Sequence, residues 1–284
     1  MDLTDVRTIR EIERKFNFGV SKGLGQNFLL DSAVLDEIAD AAEISGGVLE
    51  IGPGFGVLTR RLSQAAEKVV SVEIDDRLIP VLNFTLADCD NVKIIEADIL
   101  KTDVKALIDS EFGGKKISIA ANLPYYITTP IITSLIEAKL PVKNIVVMVQ
   151  KEVAERIAAK PGKKDYGAIT LLCGYYAKPR IVTIVPAESF YPAPKVDSAV
   201  LCLEMLDSPS VAVKDEKMFF KVVKSAFLHR RKTLENCLST DFGIEKAALS
   251  ELLADLGIAP KVRGEKLSIE EFAKIADALA EKVI

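Results

Sequence analysis

Three short stretches hold the residue types that could do chemistry. In Glu50-Ile51-Gly52-Pro53-Gly54-Phe55-Gly56, glycine stands at every second position directly after the apolar run Gly47-Val48-Leu49. A strand, a tight turn and a helix N-terminus read this way when backbone must come close to a nucleotide-like ligand. The spacing is G-x-G-x-G, whereas the dinucleotide fingerprint G-x-G-x-x-G would need glycine where Val57 stands. Glu73 follows Gly54 by 19 residues, near the interval of about 20 at which an acid meets a ribose diol. One carboxylate can accept from both hydroxyls. Asp98 is an acceptor suited to the exocyclic amino group of adenine, and no P-loop lysine follows the glycines. The set describes an adenosine pocket without phosphate binders, which favours S-adenosylmethionine over NAD.

The sharpest signal is Asn122-Leu123-Pro124-Tyr125. Methyl transfer to an exocyclic amine requires its lone pair to be aimed at the methyl carbon, yet in adenine that pair is delocalised into the ring. Acceptors on the two N–H groups, such as the Asn122 side-chain oxygen and the Leu123 or Pro124 carbonyl, favour a more tetrahedral nitrogen. Proline sets the turn and offers no competing N–H. Tyr125 supplies a face for a flipped base, worth roughly 1–3 kcal/mol in single-strand binders. No strong base is needed, so catalysis is mostly proximity and alignment.

These residues need a scaffold that brings them to one crevice. Apolar strand-like runs at 48–51, 69–74, 92–95, 117–121 and 144–149 alternate with helical patterns, the first from Ser32 with Asp31 as its N-cap. Such alternation predicts βαβ units and a doubly wound, Rossmann-like and mostly parallel α/β sheet. Ligands bind beyond the carboxyl ends of such strands, where Glu50, Gly52, Glu73, Asp98, Asn122 and Gln150 fall. Runs at 181–185 and 198–205, joined by a short proline-rich connection, predict an antiparallel pair at the sheet edge. Asp207-Ser208-Pro209-Ser210 reads as a linker, and every later pattern is helical. The expected domains are therefore 1–207, catalytic, and 208–284, a small all-helical domain.

Composition narrows the classes. The 284 residues are 49% hydrophobic and 27% charged, fitting a globular protein with a sizeable core. No apolar run reaches the roughly 18 residues of a membrane span, and acids among residues 1–20 argue against a targeting peptide. A cytoplasmic monomer is expected. Four scattered cysteines and a single histidine, His229, leave no metal site and no hydrolytic triad.

The net charge of −4 hides an asymmetry. Residues 214–232 hold seven Lys/Arg against Asp215 and Glu216, a net of +5, which leaves −9 for the rest. At about 100° per residue, Lys217, Lys221 and Lys224 share a narrow arc beside an apolar face of Phe219, Phe220, Val223, Ala226 and Phe227. With Arg230, Arg231 and Lys232 they make a candidate RNA-phosphate surface.

The ordered set resembles the ribosomal RNA adenine N6,N6-dimethyltransferase family, in particular its KsgA-type bacterial branch. The matching segments are Leu24-Gly25-Gln26-Asn27-Phe28-Leu29, Glu50 to Gly56, Val72 to Asp75, Ala97-Asp98, Asn122 to Tyr125, Phe190 to Val196 and His229 to Leu234. The resemblance implies the class I methyltransferase form of this fold, and that Asn27, Leu29, Gly52, Gly54, Glu73, Asp98 and Asn122 contact S-adenosylmethionine. It implies that Asn122, Pro124 and Tyr125 hold the target adenine, with Phe190 stacking on its other face. The implied reaction is dimethylation of two adjacent adenines in a hairpin loop near the end of small-subunit rRNA, with the small ribosomal subunit as partner. Some relatives have His where this chain has Asn27. A macrolide-resistance type of large-subunit methyltransferase and an assembly factor with secondary methylation are the alternatives; a nicotinamide oxidoreductase is disfavoured by Val57.

Overall fold

The computed structural model describes residues 1–19, 25–229 and 231–282. The chain divides into two compact units, Met1–Ala154 with Lys178–Met205, and Glu155–Ala177 with Leu206–Ile284.

In the first unit the strands are β1 (Phe28–Leu29), β2 (Gly47–Ile51), β3 (Lys68–Glu73), β4 (Val92–Glu96), β5 (Ile117–Asn122), β6 (Val142–Gln150), β7 (Ala177–Val185), β8 (Phe190–Tyr191) and β9 (Ser198–Met205). Seven of them form one sheet in the order β4-β3-β2-β5-β6-β9-β7. The β4-β3-β2-β5-β6 stretch is parallel, with Leu49 level with Val70 on one side and Ile119 on the other. Helices α1 (Val6–Lys15), α2 (Ser32–Ala42), α3 (Val57–Ser63), α4 (Ile79–Thr85), α5 (Val104–Phe112), α6 (Thr128–Glu137) and α7 (Lys151–Ile157) supply the connections. β2 is buried along its whole length, as a strand covered on both faces must be. Asp31 Oδ1 accepts from the Ala33 and Val34 N–H groups and starts α2 as expected.

β9 runs antiparallel to β6, from Asn144 against Glu204 to Gln150 against Ser198, and β7, the strand expected to pair with β9, lies beside it at the sheet edge. Strand order reverses between β2 and β5, so the crevice of such a sheet opens at their carboxyl ends. Two features were not legible in the sequence: helix α7, and the small antiparallel pair in which Leu29 of β1 faces Phe190 of β8.

The second unit contains α8 (Ala168–Tyr176), α9 (Glu216–Leu228), α10 (Leu234–Phe242), α11 (Lys246–Asp255) and α12 (Ile269–Lys282). Asp215 caps α9 by accepting from the Lys217 and Met218 N–H groups at 2.8 and 3.2 Å. The unit takes in 155–177, a segment that a boundary at 207/208 assigns to the first domain. The reason is packing: Tyr175 stacks on Phe219 of α9 at 4.9 Å, and Tyr166 and Leu171 are buried in the same core. Among the described residues no helix is long and apolar enough to cross a membrane, no side-chain group could hold a metal, and all four cysteines are free.

Candidate active site

The glycine turn shows why each glycine is needed. Gly52, Gly54 and Gly56 have φ of +70°, +59° and +83°, where side chains with a Cβ are strained. A Cβ on Gly54 would stand 2.8 Å from the Phe28 ring, whereas one on Gly52 would meet nothing within 4 Å. Backbone at Gly52 therefore borders open space, and Phe28 closes the turn from the other side. One pocket is lined by the turn together with Asn27, Leu29, Glu50, Glu73, Asp98 and the Asn122–Tyr125 motif. Residues 95 apart along the chain, Asn27 and Asn122, are brought together there, and all the walls lie in the first unit.

Glu73, at the end of β3, is buried and accepts three backbone hydrogen bonds. Oε1 takes the Ile74 and Asp75 N–H groups at 2.9 Å each, and Oε2 takes Gly54 N–H at 3.3 Å. Burial raises its pKa and these bonds oppose the rise. Beneath the turn Glu50, 1% exposed, has Oε2 accepting from the Thr59 and Ser71 hydroxyls at 2.6 and 2.7 Å. Burial pushes its pKa up to about 7, against the pull of those hydroxyls and with a smaller push from Glu73. Asp98 lies two residues past β4. Its Oδ1 accepts Leu100 N–H at 3.0 Å and its Oδ2 lies 3.4 Å from Lys101 Nζ.

Asn122 ends β5. Its Nδ2 donates to the Asn27 carbonyl at 2.8 Å, and Asn27 Nδ2 donates to Gly25 carbonyl at 3.1 Å. The amide's donor side is thus committed, and Oδ1 has no hydrogen bond among the described residues. The Pro124 carbonyl accepts Ile127 N–H at 3.2 Å and the Thr128 hydroxyl at 3.0 Å. Both its lone pairs are engaged, so the Leu123 carbonyl is the backbone acceptor left beside Asn122. The Tyr125 hydroxyl is 2.7 Å from Ser198 Oγ, which pins the ring, and burial raises its pKa.

Not every expected residue joins the pocket. Phe190 is 5% exposed, pairs with Leu29 and is absent from the pocket walls. It belongs to the buried core cluster of this unit. The pocket also has walls that were not expected as site residues: Gln26, Phe28 and Ile74, which lie inside the matching segments, and the 57% exposed Tyr126, which adjoins one. Tyr126 and Gln26 each adjoin an expected site residue, so position alone could have pointed to them; Gln26 also donates to Asp75 at 3.0 Å.

The expected RNA contacts lie in the second unit. Lys217, Lys221 and Lys224 are exposed on α9, and Arg231 and Lys232 are exposed just beyond it. Lys221 sits 4.4 Å from the centre of the Phe242 ring. Lys214, outside the candidate set, is ion-paired with Glu281. Arg230 lies outside the described residues.

Known proteins align with this arrangement from end to end. The family model for ribosomal RNA adenine dimethylase matches residues 17–281. A ribosomal RNA small subunit methyltransferase A of Alkaliphilus oremlandii is 48% identical over 284 residues, 99% of each chain. Its namesake in Bacillus cytotoxicus is 50% identical over 284 residues, 98% of this chain and 97% of the other. Among solved structures, a dimethyladenosine transferase from Plasmodium falciparum superposes with TM-score 0.76 at 29% identity, covering 90% of this chain and 98% of its own. The 23S rRNA methyltransferase ErmE gives 0.69 at 25%, covering 89% and 99%. The chain belongs to the ribosomal RNA adenine dimethylase family.

Proposed function

We propose that the chain dimethylates N6 of two adjacent adenines in the hairpin loop near the 3′ end of small-subunit rRNA, using S-adenosylmethionine, and so contributes to small-subunit maturation. The observation that carries the chemistry is the acceptor pair beside Tyr125. Asn122 Oδ1 is left without a partner by the bond from Nδ2 to Asn27, and the Leu123 carbonyl is the backbone acceptor next to it.

The pocket residues suit the methyl donor. Gly52 leaves backbone room, Glu73 can meet a ribose diol and Asp98 an adenine amino group, with Asn27, Leu29 and Gly54 completing the wall. S-adenosylmethionine supplies an electrophilic methyl group and leaves as a neutral thioether. Asn122 Oδ1 and the Leu123 carbonyl accept the two N6–H bonds, which turns the nitrogen lone pair out of conjugation and toward that methyl. Pro124 holds the turn, and Tyr125, fixed by Ser198, offers a face to the base. As the N6–carbon bond forms, the nitrogen becomes cationic and gives a proton to water. The second transfer starts from N6-methyladenine, whose single remaining N–H is offered to the same acceptors and is lost as the proton when the dimethylated nitrogen forms. Phe190 pairs with Leu29, a wall of the pocket.

The α9 face and Arg231-Lys232 then contact RNA phosphate, and the chain works as a monomer in the cytoplasm. Incubating it with labelled S-adenosylmethionine and undermethylated small subunits should place N6,N6-dimethyladenosine in the rRNA, read by nucleoside mass spectrometry. No incorporation would sink the reading. Methylation of large-subunit RNA in place of small subunits would transfer the assignment to the activity named for ErmE. An Asn122→Ala variant that binds small subunits but does not methylate them would separate an assembly role from catalysis.

A further inference from the structure

Resting on the reading that two adjacent adenines are methylated, we infer that Tyr126 is a specificity-determining residue whose ring stacks on the nucleobase next to the adenine in the pocket. Among the described residues three aromatic rings line that pocket, those of Phe28, Tyr125 and Tyr126. Phe28 is 6% exposed and packs on Phe55 with 4.3 Å between ring centres. Tyr125 is half-buried, its hydroxyl 2.7 Å from Ser198 Oγ. Tyr126 is 57% exposed, and it alone of the three turns most of its surface to solvent. Its neighbours Tyr125 and Ile127 are both half-buried, so the exposed ring stands at the mouth of the pocket.

The chain holds this ring at a set place relative to the acceptor pair. A Cβ on Gly25 would lie 3.3 Å from Tyr126 Cδ1, 3.6 Å from its Cε1 and 3.7 Å from Pro124 Cβ, so one ring edge rests against bare backbone. Gly25 has φ +60°, a conformation that glycine adopts without strain. Its carbonyl accepts from Asn27 Nδ2 at 3.1 Å, and the Asn27 carbonyl accepts from Asn122 Nδ2 at 2.8 Å. The brace behind Tyr126 is therefore tied, through Asn27, to the amide that faces the target N6. Ile127 N–H donates to the Pro124 carbonyl at 3.2 Å and closes the turn that carries Tyr126.

A base that leaves its stack to enter a pocket exposes a face of the base beside it. Any base can regain that contact on an aromatic ring, since each has a π face. Tyr125 inside and Tyr126 at the mouth are consecutive in the chain, as the two adenines are in the RNA. The ring also meets a different base in each round. When one adenine is in the pocket, the base on a given side is the other adenine. When that second adenine is in the pocket, the base on the same side is the next nucleotide along. Loss of the ring should then weigh unequally on the two adenines.

The test is Tyr126→Leu in the full chain, which keeps an apolar side chain against Gly25 and removes the π face. On undermethylated small subunits kcat/KM should fall by about 5- to 150-fold, the loss of one stacked base converted at tenfold per 1.4 kcal/mol. The fall should lie in KM more than in kcat, because Asn122 and the Leu123 carbonyl are untouched. Initial rates at the two adenines, resolved by tandem mass spectrometry of the rRNA fragment, should fall by different factors. Tyr126→Phe, which keeps the ring, should recover most of the loss, and S-adenosylmethionine affinity and Tm should match wild type. Wild-type kcat/KM in Tyr126→Leu would overturn the inference, and so would an equal fall at both adenines. Weakened S-adenosylmethionine binding would overturn it too, since the ring would then serve the methyl donor. If Tyr126→Leu does not fold, Tyr126→Gln is read in the same way. Wild type that methylates neither adenine would overturn the functional reading and this inference with it, whereas the other outcomes leave that reading standing.

Discussion

Asn122 Nδ2 donates to the main-chain carbonyl of Asn27 at 2.8 Å, joining positions 95 residues apart. The bond does two things at once: it ties the loop before β1 to the end of β5, and it turns the amide oxygen toward the pocket. Asn122→Ala removes the acceptor and the tie, and should lower kcat by about 10²–10³, the range seen when one preorganised polar contact to a reacting centre is lost. Asn122→Asp should also fail, since a carboxylate would face the Asn27 carbonyl with no donor. Single-turnover methylation of small subunits measures both; near wild-type rates in either would refute the assignment.

Gly54→Ala tests the turn. The new Cβ would press on the Phe28 ring, already at 2.8 Å from its position, and the backbone would be held at φ +59°. A strained left-handed residue costs about 1–3 kcal/mol, so the variant should lose Tm and bind S-adenosylmethionine much more weakly by calorimetry. Unchanged affinity would show that Phe28 and the turn yield without consequence.

Glu50 gives a pH signature. Its folded pKa of about 7 stands above the ordinary 4.5 because the carboxyl is buried. A raised pKa means that the folded state holds the proton more tightly, so the stabilisation is full below the unfolded value and is lost as pH rises through about 7. The difference amounts to about 3 kcal/mol in order of magnitude. Denaturant unfolding at fixed pH values should show wild type losing stability between pH 5 and 8 relative to Glu50→Gln. Parallel curves for the two proteins would mean that the group is already ionised.

Tyr125 separates stacking from anchoring. Tyr125→Phe keeps the ring and loses only the bond to Ser198, worth about 0.5–1.5 kcal/mol, so methylation should persist at reduced efficiency. Tyr125→Ala loses the face as well, and KM for RNA should rise by the equivalent of about 1–3 kcal/mol. Equal defects in both variants would place the role in the hydroxyl.

The local signals were strong where the chemistry is local. Three glycines in alternation can only be a turn with left-handed dihedrals, and Gly52, Gly54 and Gly56 adopt them. Period-2 and period-3.6 patterns marked β2 to β6 and, apart from α7, the helices of both units, because each element buries one face or both. Glu73, Asp98 and Asn122 could be placed at one crevice because right-handed parallel crossovers leave little topological choice. Sequence also identified both acceptor carbonyls beside Asn122 without choosing between them. The choice came from Thr128 and Ile127, which occupy the Pro124 oxygen once the turn has formed.

Tertiary structure decided what depends on residues meeting across long intervals. No local pattern shows that Leu29 pairs with Phe190, which the folded chain buries in its core cluster. Nor does one show that Tyr175 would stack on Phe219 and draw 155–177 into the helical unit. Periodicity reports which face of an element is buried. It carries no information about which partner buries it, and that partner was chosen by packing shape and backbone hydrogen bonding in the folded chain.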